Sequence, residues 1–473
     1  MTENCEIWES ILQGLPPCTS DEKLIPIPEI IKTIRFCLSD KIELYDVALS
    51  LLDLISPLRK DVEFLNWKAL VEYEAKSYPR AFTTTEKLLT FIKNSSTLFN
   101  AGRAAYKANQ LDKSEVYLKR AWDLEPLNSS FALDYAVTIC AQGDFNKALE
   151  IIESIPKETL DPLHQKIVDF NKGWHYIRLG DFKEGIKHLH IGREINIWGS
   201  DARTYRNPKW DGTTEPGKII LIVGEGGIGD EVINARFSEI IQSRGMTAIM
   251  STVHNNVPML SSIQTLKEVF DSSEIDKKAW DYWVPCMDLP YVLDLEAADI
   301  PSNPYLKPNP EFLKKWQSII HSDKFKVGIR WSGNPKYELE LARTIDTRFF
   351  EEYLNSDNIQ IYSLQKDDGV KNFKVPKGAI DLSAQLNTWD DTMAAVSVMD
   401  LVITSCTSIA HVAGALGQQT WVVVPLLPYY TWADMQKKSY WYDSVSVYRQ
   451  KKHGEWVDPF IEIQRDVHQL TLR

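Results

Sequence analysis

The chain has 473 residues, which is long enough for about three domains. Hydrophobic residues make up 44% of it and charged residues 25%, a balance that excludes a collagen-like or largely disordered chain. Its 65 acidic residues outnumber the 53 basic ones and give a net charge of −12. This charge disfavours a nucleic acid partner and unselective binding to anionic lipid.

The cysteines and the N-terminus indicate the compartment. The six cysteines form no C-x-x-C pair, so their spacing predicts neither a zinc site nor a disulfide scaffold. The first residues lack the basic start and apolar core of a signal peptide, and no apolar stretch approaches the ~20 residues needed to span a bilayer. We therefore expect a cytoplasmic protein with no membrane span.

The first 200 residues have helical periodicity and contain an internal repeat. The turn sequence GDF recurs at Gly143 and Gly180. In each repeat a small residue is followed four and seven positions later by two packing positions, in the sets Ser114, Leu118, Ala121; Ala148, Ile152, Ile155; and Gly185, Leu189, Gly192. The pattern resembles the tetratricopeptide repeat, which predicts TPR-like repeats over 91–200 and helices, as degenerate repeats, over 1–90. A plain helical bundle is the alternative.

The second half alternates short apolar runs with helical stretches, which predicts an α/β fold with parallel sheets. The candidate strands are 218–223, 247–253, 326–331, 359–365, 401–405 and 420–425. A Pro-rich segment at 301–310 separates two Rossmann-like units, 201–305 and 311–473. Two such units facing each other would form a ligand site at the carboxyl ends of their strands.

A glycine loop follows the first candidate strand. Gly224, Gly226 and Gly229 satisfy the G-x-G-x-x-G pattern of a dinucleotide site. Such a site expects an acidic residue about 20 positions later to bind the ribose, where this chain has Thr252-Val253-His254-Asn255. Asp230 begins the next helix, where it could cap free amides or face the cleft as a general base.

The last third contains a cluster suited to an anion. Arg343 lies in a loop after the strand 326–331, where it could clamp a phosphate or pair with a glutamate. Thr407 and Ser408 follow the strand 401–405 and begin a helix, an arrangement that favours anion binding. His411 lies one turn inside that helix and could equally be a hydrogen-bonded core histidine.

Further along, aromatic and basic residues allow two interpretations. Trp421, Tyr429, Tyr430 and Trp432 could stack on a base or sugar, or pack in the core. A basic stretch over 437–452 could contact acceptor or phosphate, or form a solvated face.

With these motifs in order, the chain from about residue 200 resembles tetratricopeptide-repeat glycosyltransferases related to the lipopolysaccharide heptosyltransferases, glycosyltransferase family 9. The resemblance rests on the sequences YRNPKWDG, GEGGIGDEVINARF, VGIRWSGNP with ARTI, SLQ, ITSCTSIAHVAGALGQQTWVVVP and SYWYDSVSVYRQKKHGEW. It implies a GT-B architecture, in which two Rossmann-like domains bind a nucleotide sugar mainly on the C-terminal one. The short N-terminal unit implies an acceptor domain completed by the repeats.

The resemblance also implies roles for individual residues. Asp230 corresponds to the catalytic base, and Gly226, Gly227 and Gly229 form its glycine loop. The donor and its phosphates would contact Arg343, Gln365, Thr407, Ser408 and His411. Cys406 stands where the family has Asp, which leaves the donor open.

These implications define an inverting, metal-independent glycosyltransferase with no cofactor. It would move a hexosyl- or heptosyl-type sugar from a nucleotide-diphosphate donor to a hydroxyl of a glycan, a protein or another acceptor, and the repeats could hold a protein partner. Two alternatives stay open: a non-catalytic TPR scaffold with a degenerate transferase domain, and a dinucleotide-dependent oxidoreductase.

Overall fold

The computed structural model describes residues 32–34, 37, 44–56, 61–199, 205–335, 337, 340–366 and 373–471. The chain divides into two compact units, residues 1–108 and 109–473. Residues 1–31, 35–36, 38–43 and 57–60 of the predicted helical segment 1–90 lie outside the described residues. The division into 1–90, 91–200, 201–305 and 311–473 stays a prediction.

The first unit is helical. The helices whose full range is described are α1 (Tyr45–Ile55), α2 (Val62–Glu74), α3 (Tyr78–Leu88) and α4 (Ser95–Lys107). Side chains cap two of them, because Asp61 accepts a hydrogen bond from the Phe64 amide at 3.1 Å and Asn94 accepts one from the Thr97 amide at 2.9 Å.

The second unit begins with α5 (Leu111–Leu124), α6 (Ser129–Ala141), α7 (Phe145–Glu153), α8 (Pro162–Arg178) and α9 (Phe182–Ile191). The nine packing positions predicted from the repeat are all buried. Gly143 and Gly180 turn the chain between paired helices with φ of 93° and 92°, a conformation that favours glycine. A Cβ on Gly173 would lie 2.8 Å from the Gly185 carbonyl oxygen, so α8 and α9 touch through their backbones.

The N-terminal sheet consists of β1 (Ile219–Val223), β2 (Thr247–Thr252), β3 (Leu266–Asp271) and β4 (Tyr282–Pro285). Its order is β3-β2-β1-β4 and every pairing is parallel. The helices around it are α10 (Ile228–Ala235), α11 (Ser238–Ser243), α12 (Val257–Leu260) and α13 (Leu289–Val292).

The C-terminal sheet consists of β5 (Phe325–Arg330), β6 (Ile359–Ser363), β7 (Ile380–Asp381), β8 (Leu401–Ser405), β9 (Thr420–Val424) and β10 (Val445–Arg449). Its order is β10-β9-β8-β5-β6-β7, again all parallel. The accompanying helices are α14 (Pro310–Ile319), α15 (Glu340–Arg343), α16 (Arg348–Tyr353), α17 (Trp389–Ser397), α18 (Ser408–Ala415) and α19 (Val457–Thr471).

All six predicted strands are present, and the sheets add β3, β4, β7 and β10. These four strands are the edge strands of the two sheets, where a continuous apolar run is not required. The predicted fold class, a helical repeat region followed by two Rossmann-like domains with parallel sheets, is confirmed.

One continuous apolar core joins the last repeat to both sheets. Phe182 and Leu189 of α9 belong to the same buried cluster as Val232 of α10 and Trp441 near β10. The last repeat therefore packs on both α/β domains. Within the described part of the chain, no helix combines the length and the apolar character needed to cross a bilayer.

Candidate active site

A cleft of about 1220 Å³ lies between the two sheets. Loops that follow β1 and β2 line one wall, and loops that follow β5, β6, β8 and β9 line the other. Parallel strands end at one edge of each sheet, so the side chains of these loops converge on the same space. Of the predicted site residues, the cleft lining includes Gly226, Gly227, Gly229, Asp230, Arg343, Thr407, Ser408 and His411.

Asp230 lies in the first turn of α10, where its carboxylate both caps the helix and reaches the cleft. Its Oδ2 accepts a hydrogen bond from the Gly227 amide at 2.8 Å, which caps the helix. Its Oδ1 accepts a hydrogen bond from the Tyr429 hydroxyl at 3.1 Å, across the cleft. Desolvation raises the pKa of Asp230 above its ordinary value. The carboxylate therefore caps the helix and also faces the cleft.

The first two glycines of the loop, Gly224 and Gly226, each lie so close to a carboxylate that a side chain at that position would collide with it. A Cβ on Gly226, whose φ is 70°, would lie 2.8 Å from Asp230 Oδ2. A Cβ on Gly224 would lie 2.3 Å from Oε1 of Glu231. That buried carboxylate accepts hydrogen bonds from Thr252 at the end of β2, at 2.6 Å, and from Asn256. The G-x-G pattern thus makes room for the protein's own acidic side chains.

A network of ion pairs connects the end of the last repeat to the glycine loop and holds the loop in place. Arg193 follows α9, and its two terminal nitrogens donate to the Glu225 carboxylate at 2.6 and 3.0 Å. Its Nε donates to Asp288 at 2.6 Å, and Lys209 lies 2.7 Å from the other oxygen of Asp288. Because Glu225 and Asp288 are buried, these cations offset charges that water does not solvate.

The opposite wall approaches the loop closely. Thr407 is the N-cap of α18 and Ser408 its first residue. A Cβ on Gly229 would lie 3.0 Å from His411 Cδ2 and 3.8 Å from Ser408 Cα. The third glycine therefore lets the loop bearing Asp230 approach the N-terminus of α18, where amide groups favour an anion.

Arg343 is both paired and turned to the cleft. Its Nε donates to Glu340 at 2.6 Å and its Nη1 donates to the Cys406 carbonyl at 2.6 Å. Its guanidinium lies 4.4 Å from the centre of the Tyr337 ring. Glu340 also accepts a hydrogen bond from the Gly333 amide, so this carboxylate fixes both the arginine and the loop after β5.

His411 is a buried, neutral histidine at the cleft wall. Its ring stacks on Trp432 with centroids 5.0 Å apart, and its Nδ1 lies 3.3 Å from the Tyr442 hydroxyl. Burial, with Arg236 and Arg343 nearby, lowers the pKa of His411 to about 3. The ring can therefore offer a hydrogen bond to a ligand, but not a positive charge at neutral pH.

Gln365 lies behind the cleft wall. Its side chain is fully buried, and its Oε1 accepts hydrogen bonds from the amides of Trp331 and Ser332 at 3.2 and 3.0 Å. Its Nε2 donates to the Lys366 carbonyl at 3.0 Å. Gln365 thus holds the loop after β5 and is not part of the cleft lining, and its contact with a donor stays a prediction. Cys406, by contrast, lines the cleft beside Arg343.

The aromatic residues divide between site and core. Tyr429 and Trp432 line the cleft, whereas Trp421 and Tyr430 are buried among apolar side chains. The lining also includes residues that no sequence pattern indicated: Arg330, Tyr337, Lys366, Trp389 and His254. Their positions at or just after the ends of β5, β6 and β2 are the signal that could have found Arg330, Lys366 and His254.

The basic residues of the stretch 437–452 are not part of the cleft lining. Lys437 lies 3.2 Å and Lys451 3.6 Å from Glu462 of α19, and Lys452 lies 3.9 Å from Glu455. Arg449 donates to the Asp434 carbonyl at 2.6 Å.

Among the described residues, no three His, Cys, Asp or Glu side chains lie close enough together to hold a metal ion.

Known proteins resemble parts of this chain. Residues 105–168 match the tetratricopeptide repeat family model, which agrees with the predicted repeats. Protein FlbA of Caulobacter vibrioides is 24% identical over 433 residues, which are 84% of this chain and 71% of that protein.

Solved structures that resemble the chain include a glycosyl transferase family 9 protein from Veillonella parvula and the ADP-heptose lipopolysaccharide heptosyltransferase II of E. coli. The first has a TM-score of 0.40 and 9% identity, and the match covers 56% of this chain and 99% of that one. The second has a TM-score of 0.41 and 12% identity, with 54% and 98% covered.

Proposed function

We propose that this chain is a glycosyltransferase that moves a sugar from a nucleotide diphosphate to an acceptor hydroxyl, with inversion and without a metal ion. One observation carries the proposal. The Asp230 carboxylate, from one sheet, lines the same cleft as Arg343, Thr407 and Ser408 from the other sheet. A base and an anion-binding cluster on opposite walls are what a direct displacement at an anomeric carbon needs.

The reaction is written as one displacement. The acceptor oxygen attacks the anomeric carbon, the bond from that carbon to the diphosphate oxygen breaks, and its electron pair leaves with the diphosphate. Asp230 takes the hydroxyl proton as the new bond forms, because a carboxylate is far too weak to remove it beforehand. Attack from the face opposite the leaving group inverts the anomeric centre.

The leaving diphosphate gains charge, which the C-terminal wall is suited to stabilise. Arg343 is held by Glu340 and the Cys406 carbonyl, so its guanidinium is oriented before the donor binds. The N-terminal amides of α18 and the hydroxyls of Thr407 and Ser408 add hydrogen-bond donors. Together they could replace a divalent cation at the diphosphate.

The acceptor and the compartment are proposals too. The acceptor hydroxyl belongs to a glycan, a protein or another molecule, and the repeats offer a place for a protein partner. The four described cysteines, Cys37, Cys140, Cys286 and Cys406, are buried free thiols, which supports a cytoplasmic location.

A panel of UDP-, GDP-, ADP- and dTDP-linked sugars tests the proposal by thermal stabilisation and slow hydrolysis. A donor at 100 times its Kd stabilises the folded chain by about 2.7 kcal/mol. We expect Asp230→Asn to bind the same donor and to lose ~10²–10⁴-fold in turnover. Asp144→Asn, at the N-cap of α7 outside the cleft lining, is the matched control and keeps its turnover.

The outcomes separate the alternatives. Undiminished turnover in Asp230→Asn refutes the base, and donor binding without any turnover favours the non-catalytic scaffold. Stabilisation by NAD but by no nucleotide sugar favours the oxidoreductase. Turnover in excess EDTA and the anomeric configuration of the product by NMR test metal independence and inversion.

A further inference from the structure

Tyr429 is the side chain that contacts the candidate base from across the cleft. It follows β9 in the C-terminal domain, and its hydroxyl donates to Asp230 Oδ1 at 3.1 Å. The other oxygen of Asp230 accepts from the Gly227 amide of its own loop at 2.8 Å. One hydrogen bond on each oxygen fixes the plane of the carboxylate, and each oxygen keeps a lone pair for another donor.

The ring of Tyr429 is itself held in place. Its centroid lies 5.9 Å from that of Trp174 in α8 and 4.7 Å from that of Tyr430. Trp174 in turn packs on Trp198, with centroids 6.4 Å apart. The hydroxyl is therefore aimed at Asp230 by aromatic packing from the last repeat and cannot swing freely.

We propose that Tyr429 is a positioning residue for the base: its hydroxyl holds the Asp230 carboxylate so that the remaining lone pairs face the acceptor hydroxyl. This inference rests on the proposed function. It joins three parts of the molecule at one carboxylate, namely the glycine loop, the C-terminal domain that would bind the donor, and the last repeat. The acceptor thus meets a base whose orientation depends on all three.

The hydroxyl of Tyr429 stays protonated, and so remains a hydrogen-bond donor, across the pH range in which the enzyme would turn over. Burial and the neighbouring Asp230 carboxylate raise the pKa of Tyr429 well above its ordinary value. The Tyr429 hydroxyl also stabilises the ionised form of Asp230 and so lowers the pKa of that carboxyl, against the desolvation that raises it. Loss of the hydroxyl removes this stabilisation, and we expect the pKa of Asp230 to rise.

Other groups near Asp230 bear on the same titration. Those that interact with it electrostatically include Glu225, Glu231, Cys286 and Tyr430. The titratable or charged side chains that line its cleft are His254, Arg330, Tyr337, Arg343, Lys366, Asp390, Cys406, His411 and Tyr429. Glu225 is paired with Arg193, and Glu231 accepts hydrogen bonds from Thr252 and Asn256. Since Tyr429→Phe leaves these pairings in place, a change in the titration of Asp230 reports on the hydroxyl.

The test is Tyr429→Phe, which removes one oxygen and keeps the ring. With the nucleotide sugar of the panel that the wild type hydrolyses, we expect kcat to fall about 5–50-fold and the donor KM to change less than twofold. The acid limb of the pH profile of kcat/KM should move up by about 0.5–1 pH unit. Tyr440→Phe is the matched control, because Tyr440 packs on Phe182 and Trp441 outside the cleft lining.

A second readout does not depend on turnover. Protein labelled with ¹³C at the aspartate carboxyl carbons gives the titration of Asp230 by NMR, with the resonance assigned by its absence in Asp230→Asn. We expect the same upward shift in Tyr429→Phe and none in Tyr440→Phe. An Asp230 titration identical to that of the wild type, or an unchanged acid limb, overturns the inference. If Asp230→Asn keeps full turnover, the proposed function fails instead.

Discussion

Two buried histidines of the second unit should make its stability depend on pH. His411 of α18 and His175 of α8 are 5% and 2% exposed, and burial lowers the pKa of each from 6.5 to about 3. Between these values the unfolded chain binds more protons than the folded chain, so stability rises with pH. The contribution is complete above pH 6.5 and is lost as the pH falls toward 3.

The magnitude follows from the two pKa values. From pH 7 to pH 5 each histidine costs about 2 kcal/mol of unfolding free energy, because the unfolded side chain becomes protonated and the folded one does not. The assay is urea unfolding followed by tryptophan fluorescence at pH 7, 6 and 5. Between pH 7 and pH 5, the free energy of unfolding of His411→Gln and of His175→Gln should each decrease by about 2 kcal/mol less than that of the wild type. This difference does not depend on how much each substitution destabilises the chain at pH 7.

The solvent-exposed His468 of α19 provides the matched control. His468→Gln should leave the decrease between pH 7 and pH 5 as it is in the wild type. If His411→Gln and His175→Gln also leave it unchanged, burial does not keep these rings neutral, and His411 could carry a charge toward a phosphate after all.

Three further substitutions test the cleft and the repeats. Arg343→Lys removes the planar guanidinium that contacts Glu340 and the Cys406 carbonyl. We expect the nucleoside diphosphate of the stabilising donor to bind about 10–100-fold more weakly, as measured by calorimetry. Unchanged binding would contradict the proposed contact of Arg343 with the phosphates. Gly229→Ala places a Cβ 3.0 Å from a ring carbon of His411, and should lower the free energy of unfolding by about 1–3 kcal/mol; an unchanged value would show that the two walls are not in contact. Gly173→Ala places a Cβ 2.8 Å from backbone atoms of α9. Although alanine favours a helix, we expect the free energy of unfolding in urea to fall by about 1–3 kcal/mol. A gain in stability would show that α8 and α9 are farther apart.

The sequence alone predicted the packing positions of the repeats, six strands and part of the candidate site. The nine buried positions of the repeats follow from a spacing that a helix converts into one face, and the six predicted strands follow from runs apolar enough to be covered on both sides. Asp230 and Ser408, two predicted site residues that line the cleft, lie in the first turns of helices that follow strands. Local chain geometry fixes such positions, so a sequence pattern can find them.

Only the tertiary structure decided which groups meet. Tyr429 is 199 residues from Asp230 and Arg193 is 32 from Glu225, and no local pattern pairs them. Gln365 shows the converse, since its motif implied a donor contact while the fold directs its side chain to the amides of Trp331 and Ser332. Contacts between distant segments depend on how helices and sheets pack, and packing is a property of the assembled core rather than of any stretch of sequence.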